Sequence, residues 1–166
     1  MNHEIKDRRA KSESPTLVKW VIYGLLAWLF AVIQVGFLSH VAIFGATIEV
    51  TFAFILMIGW KKGPVVGGIL GMIGGFILDA LMGVTISVLP LLFFAAGVYA
   101  AFAAKRLFDH PLTYVLMSVP AHVVLAGWRG LCENSMGYAL AVLLAGLIGS
   151  VVVYIPEGIR YFRGKS

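Results

Sequence analysis

Charge is scarce in this chain. Asp, Glu, Lys and Arg supply only 13% of its 166 residues, about half the share found in soluble domains. An ordinary water-facing surface is thereby excluded. Cysteine is scarcer still: Cys132 stands alone, which rules out an internal disulfide and any cysteine-based metal cluster. It reads as a small packing residue. Three of the histidines, His40, His110 and His122, fall at different depths or sides with no paired-ligand spacing, so no metal is expected. Ser87, Ser118 and Ser150 lie within apolar runs without a base nearby in sequence, and each suits a bond to a backbone carbonyl better than nucleophilic attack. The glycine-rich "GGILGMIGG" lacks the Lys-Ser/Thr ending of a phosphate loop. The expectation is a protein without cofactor or catalytic centre.

What the chain has in abundance is apolar surface. Hydrophobic residues make up 60% of it, and its mean hydropathy is +0.94. At about 20 residues per crossing, its length holds six spans, placed at 17–38, 41–60, 64–82, 84–104, 111–131 and 137–156. The expected fold is an all-α integral membrane protein of six transmembrane helices. Residues 1–16 and 157–166 form its tails. The first run is longer than the core of a cleavable signal peptide. The second is interrupted by Gly45 and Glu49, and a surface-hugging segment followed by a short helix is the alternative there. Pro90 and Pro120 fall inside the fourth and fifth spans, where each should kink its helix.

The net charge of +5 would suit a nucleic-acid partner, but the basic residues stand in short groups at the ends of apolar runs. With these spans, twelve of the thirteen Lys and Arg residues fall on one side and only Arg129 on the other. Basic residues collect on the cytoplasmic side, so both termini are expected there. That topology accounts for the basic tails without a nucleic acid. Trp20 and Trp60 suit the inner interface and Trp128 the outer one.

Glycine is placed with a period. In "GPVVGGILGMIGGFILDALMG" it occupies positions 63, 67, 71 and 75, gives way to Asp79 and returns at Gly83. Residues four apart share a helix face, so Gly63, Gly67, Gly71 and Gly75 form a groove that admits another helix closely, widened by Gly68 and Gly74. Asp79 follows Gly75 on that face and should point into protein rather than lipid, where an aspartate would cost several kcal/mol. Ala27 and Ala31 make a second small-residue face on the first helix.

Five polar residues lie within the spans: Gln34, Glu49, Asp79, His122 and Arg129. A rise of 1.5 Å per residue puts Asp79, Arg129 and Gln34 at roughly 23–27 Å from the inner boundary, and Glu49 and His122 at about 17 Å. This layering predicts an Asp79–Arg129 ion pair and a Glu49–His122 contact. A proton relay would need a longer chain of such groups, and the fourth and sixth spans contribute no charge.

The order of features from Gln34 to Lys105, about 70 of the 166 residues, resembles the bacterial rod shape-determining protein MreD family. The matching residues are Ile33-Gln34 near the end of the first helix, the Lys62-Gly63 turn, the ladder ending in Leu78-Asp79, the following Gly83, and Gly97 with Tyr99 late in the fourth span. The chain departs from the family at Ile48-Glu49, where proline precedes the acid or amide, and at Ile86-Ser87, which marks it as a divergent member. The resemblance implies a non-enzymatic component of the cell-elongation machinery in the bacterial inner membrane. Its partners would be MreC-like and MreB-like proteins and peptidoglycan synthases. It also implies a fold similar to the substrate-binding subunits of vitamin uptake transporters. That kinship supplies a second expectation, a solute-binding subunit that docks to a transport module through Ala27 and Ala31.

Overall fold

The computed structural model describes residues 17–40, 48–83, 88–106, 111–132 and 136–163. Among them there are six α-helices, one 3-10 turn and no strand. We number the helices α1 (Leu17–Gly36), α2 (Val50–Lys62), α3 (Pro64–Met82), α4 (Leu89–Arg106), α5 (Pro111–Cys132) and α6 (Met136–Arg163). The 3-10 turn, Leu38–His40, follows α1. Four stretches are long and apolar enough to cross a membrane: Leu17–His40, Pro64–Met82, Leu89–Arg106 and Met136–Ile155.

The helix α2 forms the axis around which the others pack. Apart from Met57, every residue from Val50 to Trp60 is buried, and α2 touches all five other helices. α3 and α4 form one tight antiparallel pair and α5 and α6 another, while α1 lies against α2 and α3. The inward face of α1 is Ala27, Ala31 and Gln34. The two alanines, fully buried, are spent on packing within the fold and are not the exposed face expected of them.

The glycine ladder works as its period predicts over three rungs. A methyl group on Gly67 would come within 2.5 Å of Gly59 Cα and 2.8 Å of Gly97 O. One on Gly71 would meet the Phe93 carbonyl, and one on Gly75 would meet the Pro90 backbone. These contacts fix the register of α3 on α4, and Gly59, Gly67 and Gly97 bring three backbones together at one point. Gly74 faces Ile55 and Thr51, and Gly68 faces Phe94 and Val98.

The ends of the series differ from expectation. Gly63 has φ +99° and Gly83 φ +69°, and no atom lies within 4 Å of where their Cβ would be. Both are turn residues rather than packing rungs. Gly63 joins α2 to α3 ahead of Pro64, a residue suited to a first helical turn. Gly83 closes α3 in the left-handed conformation with its N–H on the Asp79 carbonyl.

Span boundaries also shift. The expected helix 41–60 is one of 13 residues starting at Val50, and residues 41–47 lie outside the described set. Pro90 sits in the first turn of α4, where its missing N–H breaks no helical bond, so it makes no kink. Pro120 lies inside α5. The last helix continues through Arg163, beyond the expected end at 156. Ser87, His110 and residues 1–16 fall outside the described residues, as does the side chain of Cys132.

Candidate functional site: a polar latch at the end of a short helix

Thirteen residues of α-helix reach about 20 Å, against a hydrocarbon core of about 30 Å. In a bilayer α2 therefore cannot cross. It carries its N-terminus, with unpaired N–H groups, into apolar surroundings where unsatisfied backbone is not tolerated. The residue at that terminus is Glu49, whose side chain makes no cap to its own helix. Its φ of −83° and ψ of 65°, with a Val50 N to Ile48 O bond of 3.0 Å, describe an inverse γ-turn.

The missing cap comes from another helix. Gln34 Oε1 accepts from Thr51 N at 3.0 Å, and Gln34 Nε2 donates to Glu49 Oε2 at 2.6 Å. Arg129, near the end of α5, donates from Nη2 to Glu49 Oε1 at 2.9 Å. The Glu49 carboxylate thus accepts one bond on each oxygen, at 1% residue exposure. The Arg129 side chain, 16% exposed, is partly open to the outside of the fold. Gly149 on α6 makes room for the Glu49 carbonyl, since a methyl there would lie 3.2 Å from it. A carboxylate at a helix N-terminus is also favoured by the helix dipole.

This geometry corrects both pairings drawn from axial depth. Arg129 meets the carboxylate of Glu49, not the expected one of Asp79. Helix direction is the reason. Trp60 packs against Tyr114 at one end and Glu49 meets Arg129 at the other, so α2 and α5 run antiparallel. Side chains lean toward the N-terminus of their own helix, and those of Glu49 and Arg129 therefore lean toward each other. His122 lies one turn away from its expected partner. Its ring stands edge-on to Phe52 at 5.1 Å, with Nδ1 2.9 Å from the Ser118 carbonyl. Gly146 leaves the space that the ring fills. Asp79 is buried at 4% exposure, at the far end of α3 beyond Gly75, as the ladder required.

Thr51, Gly59, Gly146 and Gly149 escaped the sequence reading. Gly97 had entered only as a family mark, although with Ala101 it forms a small-xxx-small step. From the start of α5, Tyr114 donates to the Ala53 carbonyl of α2 at 2.9 Å and stacks on Tyr154 at 4.6 Å, with Lys61, at the far end of α2, above the Tyr154 ring. Among the described residues no group of three metal-binding side chains comes together.

The apolar helices and the pairing of the buried Glu49 carboxylate with Arg129 are consistent with the helical membrane-protein class. No family model, curated protein or solved structure matches the chain.

Proposed function

We propose that the chain is a non-enzymatic membrane scaffold of the bacterial cell-elongation machinery, a divergent relative of the MreD family. It would lie in the inner membrane with both termini in the cytoplasm and six passes, the second made in part by the short α2. The observation that carries this reading is the closure of the polar centre on itself. Gln34 and Arg129 both bond Glu49, one on each carboxylate oxygen, and two grooves, of about 280 and 400 Å³, are lined almost wholly by apolar residues. A solute-binding subunit needs polar groups converging on a cavity. The burial of Ala27 and Ala31 also removes the docking face which that alternative used. Lys19, Lys61, Lys62, Lys105 and Arg106 gather at the end of the bundle away from the latch, in keeping with a cytoplasmic rim.

The test is purification of the tagged chain from its native membrane in mild detergent, with mass-spectrometric identification of what accompanies it. Recovery of MreC-like, MreB-like or peptidoglycan-synthesis proteins is expected, together with loss of rod shape in an Asp79→Ala strain at normal protein level. Recovery of a transport ATPase instead, or retained shape in that strain, overturns the proposal.

A further inference from the structure

The helices α4 and α5 meet only loosely, and between them runs the groove of about 280 Å³. Leu92, Ala95 and Tyr99 line it from α4, Pro120 and Val124 from α5, and Phe52 of α2 forms part of its wall. Ala95, Pro120 and Val124 are exposed, so the groove opens sideways on the apolar surface that faces lipid. At the end marked by Tyr99, the tyrosine hydroxyl reaches Met117 Sδ at 4.0 Å and ties the two helices together.

The α4 stripe that lines the groove continues to a cation. Leu92, Tyr99 and Arg106 are spaced by seven, two helical turns, and so stand on one face. Arg106 and its neighbour Lys105 are exposed at the basic end of the bundle, and Lys105 Nζ lies over the Phe102 ring. From Arg106 the groove begins about 10 Å away at Tyr99 and ends about 21 Å away at Leu92. One leaflet of a bilayer holds hydrocarbon to a depth of about 15 Å, so the Tyr99 half of the groove lies within the leaflet at the basic end and its Leu92 end reaches just past the midplane. A positive charge at the interface and an apolar slot beneath it match the two halves of an anionic phospholipid.

We infer that an anionic phospholipid of the leaflet at the basic end occupies this groove, with its phosphate at Arg106 and Lys105 and one acyl chain between α4 and α5. The inference rests on the chain lying in a bilayer and is independent of which proteins it assembles with. Small side chains at Ala95 and Ala96 leave room for the acyl chain. The guanidinium can hold phosphate oxygens in its fork, and a lipid with a neutral headgroup lacks the charge that gains from the two cations.

Native mass spectrometry of the delipidated full chain, titrated with phosphatidylglycerol or phosphatidylcholine, tests it. Phosphatidylglycerol should be retained preferentially, and each of Arg106→Gln and Lys105→Gln should weaken retention about five-fold. Ala95→Phe, at an exposed position, fills the slot and should lower retention at least as much with both cations intact. Size-exclusion profiles and helix content identify any variant that fails to fold, and Ala95→Leu serves as the milder replacement. Equal retention of the two lipids overturns the inference. So does normal retention in the folded Ala95 variants, which would mean adsorption at the charged rim alone, and so does a second protein chain found in the groove by crosslinking at Ala95→Cys.

Discussion

Gln34 does for α2 what that helix cannot do for itself. With one amide it accepts from Thr51 N at 3.0 Å and donates to Glu49 Oε2 at 2.6 Å, joining the end of α1 to the start of α2. Truncation to Gln34→Ala leaves a buried N–H and one carboxylate oxygen without this partner. A loss of about 1–3 kcal/mol is expected, read as a lower midpoint in thermal unfolding of the purified protein. An unchanged midpoint would show that the cap is dispensable.

The ion pair of Glu49 with Arg129 should behave as a unit. Removing either partner, in Glu49→Gln or Arg129→Met, uncovers a buried charge and should cost about 3–5 kcal/mol. The double variant should cost clearly less than the two losses combined, and a double-mutant cycle measures the difference. Simple additivity would mean that the two residues do not depend on each other.

Glycine substitutions should split by sign. Gly67→Ala forces a methyl against the backbone of Gly59 and Gly97 and should destabilise by about 1–3 kcal/mol or more. Gly24→Ala meets nothing within 4 Å and should stabilise by up to about 1 kcal/mol through helix propensity. Unfolding midpoints of the two variants in the same detergent decide the matter. A harmless Gly67→Ala would mean that the three-helix junction is looser than described.

Topology can be read with thiol chemistry because a single substitution, Cys132→Ser, empties the chain of cysteine. In that background Ser39→Cys, in the exposed turn after α1, should react with a membrane-impermeant maleimide in intact cells. Lys62→Cys should react only after permeabilisation. The reverse pattern would place the basic rim outside.

Much of this arrangement was legible in the chain. The rungs at Gly67, Gly71 and Gly75 could be read because a four-residue period of small side chains has one physical use in a helix. Gly63 and Gly83 continue the same period just outside the expected span 64–82, and the period alone counts them with the rungs. Only their positive φ separates a turn from a rung, and nothing in the spacing encodes it. Among the polar residues, the inward placement of Asp79 followed from the cost of a charge in lipid. The pairing of the polar residues did not follow, because axial depth places Cα atoms and ignores the lean of side chains on antiparallel helices. The late start of α2 at Val50 was hinted at by Gly45 and Glu49. The helix that stabilises that start contributes only Gln34, fifteen residues earlier in the chain.

That spacing in sequence has a consequence for how the protein is made. Gln34 leaves the ribosome before Glu49, so the cap is already waiting when α2 emerges. Arg129 follows Glu49 by 80 residues, a delay of about 4–16 s at ordinary rates of synthesis. During that interval the carboxylate has the amide of Gln34 but not its counter-ion. The nascent chain therefore has to shelter an acid at the end of an unfinished helix pair, and arrival of the fifth helix is the event that locks the first two in place.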